Sequence, residues 1–587
     1  MIDMNQFCES DKAILEDYLK ECKQLLKSGF KPKKIKAFTS KFINRQLNAP
    51  KLPSKILESD LTSFKKLSAM DIQRQILSGE TTYAEVVMKY HKIKADHKNA
   101  NNLLTWSRFE EPFKRATQID EEIKSLSPEQ IKEKYPLLGF VMSLKDCLYA
   151  KDTPTTGGLF INLDRVASEQ PETIQNMKNS GMVFTSKGNV PQMLFAFETE
   201  NNLYGEAVHA HDSSRTVGGS SGGDAALLFQ SYNNSSIGSD IGGSLRIPAL
   251  FNGICSLKPT SKRLSRQCQA NFFSRNFGSD QVNSQSVKTN RDVQFVIPVT
   301  IGPMAKKTED LERIMKVLVK DQSFEMTIPP LPWKENISFP KKIGIIREHK
   351  LCELGPTAKR VMQESENALR KAGYELFDLD VKDLLTEIAA NTIMAFNKNN
   401  ELFSVINGKT NVKETFGKLF SLAKLVHSLP LWVVKIVKWK EGDSRKGFIL
   451  ENFLKSKQTS TQDINEVQSK CYKEIERKMR ELNLSAILSP GMPMPAIKLG
   501  ISNKCFLSCL YMFIWNFLDM PSGVITVGNV KENEQFYDSE FDDEMSQILK
   551  ENAIGSEGMP MGVSITSRVF NEEVVIQIMK DLENNLN

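Results

Sequence analysis

Histidine is scarce in this chain: the 587 residues contain six, and the closest two, His209 and His211, are separated by a single residue. A His/carboxylate metal centre has little to draw on, so neither a metal nor a cofactor is expected. Cysteine pairs are missing too. The nine cysteines (Cys8, Cys22, Cys147, Cys255, Cys268, Cys352, Cys471, Cys505 and Cys509) are odd in number and scattered; only Cys505 and Cys509 lie close, and no CxxC occurs. That disfavours a zinc site or a disulfide framework and suits a reducing compartment. An excess of one charge is also lacking. The 77 basic and 71 acidic residues leave a net +6, too little at this length to point to nucleic acid. The longest strongly apolar run, Cys505 to Leu518, is broken by Ser508 and Asn516. It is too short to span a bilayer and reads as a buried helix or pocket wall. The start, Met1-Ile2-Asp3-Met4-Asn5, lacks the basic-then-apolar layout of a signal peptide. The expected location is therefore intracellular, in the cytoplasm or on the cytoplasmic face of a membrane.

What is present is the composition of an ordinary globular protein, 40% hydrophobic and 25% charged. Residues 10–27 place Ile14, Leu15, Tyr18, Leu19, Cys22 and Leu25 at helical spacing, ending near Gly29. The basic stretch Lys31-Pro32-Lys33-Lys34-Ile35-Lys36 follows, either as a solvated face or as a contact for acidic lipid. Ser68-Ala69-Met70-Asp71 opens a helix, and Thr82-x-x-Glu85 predicts a capping box for the next. Residues 137–145 form an apolar run ending on Lys145, which predicts a buried strand. A helix over 172–180 stops at Gly181, and Val183-Phe184-Thr185-Ser186 predicts the following strand. The alternation returns at Ile343–Ile346 and Ala486–Leu488, which argues for an α/β fold: a sheet covered by helices. The acidic stretch from Glu532 to Glu544 reads as a solvated loop.

Two Gly/Ser clusters interrupt this pattern: Gly218-Gly219-Ser220-Ser221-Gly222-Gly223 and Asp240-Ile241-Gly242-Gly243-Ser244. A flexible linker is the plain alternative for either. It fits poorly, because the first runs almost straight into Ala225-Ala226-Leu227-Leu228-Phe229 and the second into Leu245-Arg246-Ile247-Pro248. Glycines around serines let the backbone approach a ligand closely, and successive N–H groups can converge on the oxyanion of a tetrahedral intermediate. Ile241, Gly242, Gly243 and Ser244 are the candidates for that. A serine hydroxyl also needs a base. Neither cluster names a histidine, but a lysine serves if burial or nearby positive charge lowers its pKa. Lys145 stands at the end of an apolar run, although one lysine after a strand is, taken alone, an ordinary snorkelling side chain.

Gly139-Phe140-Val141-Met142-Ser143-Leu144-Lys145-Asp146, then the GGSSGG cluster, then Asp240 to Pro248, in this order, resemble the amidase signature family. Asn252-Gly253-Ile254-Cys255-Ser256-Leu257-Lys258-Pro259-Thr260, Gly188-Asn189-Val190-Pro191-Gln192, Asn516 to Gly523 and Gly558-Met559-Pro560-Met561-Gly562 extend the likeness, which covers roughly residues 65–587 and is strongest toward the fatty acid amide hydrolases. The resemblance implies a large mixed twisted β-sheet with helices on both sides (α/β/α). It implies a catalytic domain over 66–587, preceded by a helical basic arm over 1–65. It also implies a Ser-Ser-Lys triad: Lys145 as neutral base, Ser220 as proton relay behind a cis peptide, and Ser244 as nucleophile forming an acyl-enzyme. Asp240 and Arg246 would support the site, and Leu194, after Val190-Pro191-Gln192, would touch the ligand.

The family acts on small amides, fatty amides and aminoacyl-tRNA, so the substrate needs a separate hint. In residues 416–440, Phe416, Leu419, Phe420, Ala423 and Val426 share one helical face; beyond Pro430 come Leu431, Trp432, Val433, Ile436 and Val437 with Lys435, Lys438 and Lys440. Apolar faces edged by lysine suit a helix pair in a membrane interface, with 410–442 as a docking cap; a hairpin buried against the core is the alternative. Met193-Leu194-Phe195-Ala196-Phe197 and Phe513-Ile514-Trp515 are candidate walls of an acyl tunnel, or simply core. The expectation is a hydrolase of fatty acid amides or N-acylethanolamines with peripheral membrane contact and no nucleic-acid partner; a homodimer stays open. Three rivals stay open as well. Gly218-Gly219-Ser220-Ser221-Gly222 also fits G-x-S-x-G, a nucleophile elbow with Ser220 as nucleophile, for which only His349 and His427 lie downstream as partners. An amidotransferase subunit and an inactive lipid-binding member are the others.

Overall fold

The computed structural model describes residues 11–28, 31–48, 52–270, 296–320, 322, 325, 327–399 and 444–586. The proposed cap over 410–442, including 416–440, lies outside them.

Among the described residues eleven strands form one sheet: β1 (Leu104–Ser107), β2 (Val141–Lys145), β3 (Val183–Gly188), β4 (Ser235–Asp240), β5 (Cys255–Lys258), β6 (Thr300–Ala305), β7 (Lys342–Ile345), β8 (Glu375–Asp378), β9 (Ala486–Pro490), β10 (Ser522–Asn529) and β11 (Pro560–Ser567). Their spatial order is β1-β3-β2-β4-β6-β5-β10-β11-β9-β7-β8. The sheet is mixed: β2 runs parallel to both β3 and β4, and β7 to β8 and β9, while β10 is antiparallel to β5 and β11. The strands expected at 137–145, 183–186, 343–346 and 486–488 are β2, β3, β7 and β9.

Helices cover both faces. Gly523 of β10 pairs with Ile565 of β11, and the helix Glu572–Asn585 lays Val575 and Met579 over Gly523. Gly562, three residues before Ile565, points to the other face, and there the helix Arg246–Phe251 lays Leu250 against it. The apolar run at 505–518 is a short 3-10 turn and the helix Leu510–Phe517, every residue of which is buried.

The predicted helix starts are present with one difference. Ser68 and Asp71 form a reciprocal capping box. Thr82 accepts from Glu85 N at 3.2 Å, but the Glu85 carboxylate turns to Lys55 and Thr81. Asp120 caps instead, accepting from Tyr83 N and Ala84 N at 2.7 and 2.9 Å, a partner that only the tertiary fold supplies. The stretch Glu532–Glu544 is not simply solvated. Glu534 takes Arg360 and Thr357, and Asp543 pairs with the buried Arg445 while capping the helix Glu544–Ala553. Those arginines need counter-charges, and the loop provides them.

The helix Asp11–Ser28 buries Ile14, Leu15, Tyr18 and Cys22. With the helix Pro32–Asn48 it joins a hydrophobic cluster that reaches to Tyr232. Tyr18 Oη donates to Leu163 O at 2.8 Å and Thr39 Oγ1 to Leu203 O at 2.7 Å. Lys33, Lys34 and Lys36 are exposed on the first turn of the second helix, and Ile35 between them is buried. No helix among the described residues is long and apolar enough to cross a membrane.

The helix Gly222–Phe229 packs so closely on the residue after β3 that a Cβ on Gly223 would collide with the Asn189 backbone. Gly223→Ala is expected to cost about 1–3 kcal/mol, as overpacking does where rigid neighbours cannot yield. A lower thermal unfolding midpoint checks this; an unchanged midpoint would mean that the helix can slide off β3.

Candidate active site

Because β2 and β4 are parallel, their C-terminal ends open on one edge of the sheet, the place where α/β enzymes gather ligand groups. Lys145 ends β2 and Asp240 ends β4. Ser220 comes from the loop before the helix Gly222–Phe229, behind a cis Gly219–Ser220 peptide. Lys145 Nζ lies 2.8 Å from Ser220 Oγ, 3.1 Å from Ser239 O and 3.0 Å from Ser239 Oγ. Burial lowers the proton affinity of the amine, against the pull of Cys147, Asp224 and Asp240.

Ser244 is joined to this group through the backbone: Ser221 N–H donates to Ser244 O at 3.1 Å. Lys145 has no exposed surface and Ser220 only 1%, whereas Ser244 keeps 8%. Of the three, Ser244 is the most exposed. Ser220 finds a lysine as its partner and no histidine among the described residues. That removes the geometric basis of the nucleophile elbow as far as the described residues go; His427 lies outside them.

The turn from Asp240 to Arg246 is braced from within. Asp240 accepts from Gly243 N at 2.7 Å, Leu245 N at 3.1 Å, Arg246 Nε at 3.0 Å and Asn516 Nδ2 at 2.8 Å. Burial pushes the Asp240 carboxyl upward, but the charge and hydrogen bonds of Arg246, helped by Asn516 and Lys258, outweigh it and hold the group well below the usual carboxylate range. Arg246 also donates to Met512 O at 3.1 Å, to Ser522 Oγ at 3.3 Å and to Asn516 Oδ1. Gly243 has φ +101°, a left-handed conformation that favours glycine. A Cβ on the adjacent Gly242 would meet Phe396 and Phe513 at 3.0 Å.

These rings belong to an aromatic group: the Phe513 ring lies tilted at 5.3 Å from Phe396 and 5.0 Å from Phe506. Its neighbours Ile514 and Trp515 pack away from it, into a separate cluster with Ile475 and Met520. Leu194 is half-buried in a turn that passes through left-handed Met193 and Leu194, with Met193 N–H on Gly157 O.

Several site groups carry no mark in the sequence reading. Ser239, which fixes the Lys145 amine, is only the residue before a motif. Next to Lys145, Asp146 and Lys187 form a buried ion pair at 3.0 Å that anchors the loop at Pro154 and Thr155. Asp224 was available as the lone charge in an otherwise apolar helix start.

Comparison with known proteins agrees with this geometry. The amidase family model matches residues 85–576. Fatty acid amide hydrolase 1 of Caenorhabditis elegans is 27% identical, over 87% of this chain and 87% of the relative. Fatty-acid amide hydrolase 1 of Sus scrofa is also 27% identical, over 76% of this chain and 75% of the relative. Among solved structures, a fatty acid amide hydrolase shares the fold with a TM-score of 0.72 at 21% identity, covering 100% of this chain and 98% of the other.

Proposed function

The chain belongs to the amidase family and is an amide hydrolase, and from that premise we propose that it cuts fatty acid amides or N-acylethanolamines through an acyl-enzyme on Ser244. The observation that carries the mechanism is the buried contact of 2.8 Å between Lys145 Nζ and Ser220 Oγ. A neutral amine has two N–H donors and one lone pair. One N–H suits Ser239 O, the other suits Ser239 Oγ, and the lone pair is left for the Ser220 hydroxyl proton. Ser220 in turn takes the proton of Ser244 as its Oγ attacks the carbonyl carbon. The Gly243 N–H is already spent on Asp240, which leaves the N–H groups of Ile241, Gly242 and Ser244 for the oxyanion. The relay then runs backwards: Ser220 hands a proton to the leaving nitrogen, without which an amine is a very poor leaving group. Water repeats the cycle and frees the acid.

The aromatic group of Phe396, Phe506 and Phe513 beside Gly242 supports an aliphatic acyl chain, since greasy walls hold such chains without polar partners. The names of the relatives point the same way. The lysine-edged apolar pattern of 416–440 supports peripheral contact with a membrane.

A series of primary amides of falling chain length tests the substrate. Each methylene removed is expected to lower kcat/KM about fourfold, the worth of one buried CH2. A flat series would overturn the lipid assignment, and glutamine hydrolysis that appears only with added partner subunits would favour an amidotransferase.

A further inference from the structure

Asp224 is a buried carboxyl that this mechanism leaves unused. It sits in the first turn of the helix Gly222–Phe229 with no exposed surface. Its Oδ1 accepts from Ser143 Oγ at 2.7 Å and Ser236 Oγ at 3.1 Å, and its Oδ2 has no hydrogen-bond partner. An acid in a helix's first turn gains from the N-terminal dipole, but an exposed position would serve that purpose without burying an unpaired oxygen. The surroundings are instead shaped to admit it. A Cβ on Gly188 would overlap Asp224 Cγ and Oδ2, and Gly188 is the β3 residue paired with Lys145. Ser143 lies two residues before Lys145, on the same face of β2, and Ser236 lies on β4, the strand that carries Ser239.

Lys145 faces Asp224 from this helix, Asp240 from the end of β4 and Cys147 from its own turn. Asp224 faces Lys145, Asp146 from the turn after β2, and Lys187 from β3. Asp146 is neutralised by Lys187 at 3.0 Å, and Asp240 by Arg246 at 3.0 Å. Asp224 alone of the three carboxylates forms no ion pair among the described residues, and its charge acts on Lys145 as well as on Lys187.

We propose that Asp224 is a positioning residue for Lys145, its carboxylate supplying the negative charge that sets the lysine's proton affinity and thereby the pH at which Ser244 becomes reactive. This rests on Lys145 being the base. Burial raises the Asp224 carboxyl to about 7, against Ser143, Ser236 and Lys145, and burial lowers Lys145, so the two titrate as a coupled pair. An ionised Asp224 favours protonated Lys145. Removing the charge lowers the lysine's pKa and leaves more neutral base above about pH 7, where the wild-type carboxyl is ionised.

The test is the rate at which a fluorophosphonate modifies Ser244 in the full chain from about pH 5 to 9, for wild type, Asp224→Asn and Asp224→Ser. The limb is expected to move down by about one pH unit in both variants, so that they react faster than wild type above about pH 7, where the wild-type carboxyl is ionised, and converge with it at the acid end. A uniformly lower rate with the limb unmoved overturns the inference, since Asp224 would then only hold the helix. The serine variant keeps the test decisive where an Asn amide clashes with the two serine donors. Lys145→Ala, run alongside, separates the two ideas: a wild-type rate and limb there would sink the base assignment itself.

Discussion

Lys145→Ala is expected to slow fluorophosphonate labelling of Ser244 by about 10²–10⁴-fold, the usual worth of a positioned general base. Peptide mass spectrometry locates the adduct. The physical basis is that the Lys145 amine lies 2.8 Å from Ser220 Oγ and that Ser244 has no side-chain partner of its own among the described residues. Alanine leaves a void where the amine stood and two Ser239 acceptors without their donor, so the proposed relay would end at Ser220 with nowhere to send a proton. An adduct on Ser220 that survives the substitution would instead make Ser220 the nucleophile. No adduct on the folded wild type would point to a lipid-binding protein that kept the fold.

The second large effect concerns stability. Arg246→Met is expected to cost about 3–5 kcal/mol, because it leaves the Asp240 carboxylate buried and uncompensated. Asn516 and two backbone N–H groups remain on it, yet none brings a charge. The double variant Asp240→Asn/Arg246→Met should recover part of that loss, since removing both charges also removes the desolvation penalty. Denaturant midpoints read both; a wild-type midpoint for Arg246→Met would refute the pairing. The folded pKa of Asp240 is depressed, so its contribution to stability is fully present above the unfolded value of about 4. It is lost as pH falls below that value toward the folded one. In Asp240→Asn this part of the acid sensitivity should disappear.

The groups that the sequence made visible are those with a local signature. Lys145 ends an apolar strand, and Ser220 and Ser244 sit among glycines that an ordinary loop would not need in apolar company. The sheet class was visible in short apolar runs separated by helical spacing. What stayed hidden depends on sheet order. Asp120 caps the helix Tyr83–His97 from another helix, Asn516 reaches Asp240 across 276 residues, and Ser236 and Ser143 meet on Asp224 only because β2 and β4 are neighbours. Trp515 shows the same limit from the other side, since an apolar run does not declare which cluster each residue will face.

The order of strands also sets a timetable. A chain leaves the ribosome from its N-terminus, and Lys145, Ser220 and Ser244 emerge long before Asn516 and Ser522. Yet β10 and β11 fill the middle of the sheet, between β5 and β9, and no strand of β1–β6 pairs with β7, β8 or β9. Until that late part of the chain arrives, Arg246 lacks its anchors at Met512, Asn516 and Ser522, and the turn that carries Ser244 is held by Asp240 alone. A nascent chain or a prematurely ended product therefore holds Lys145, Ser220 and Ser244 without the groups that brace the turn leading to Ser244.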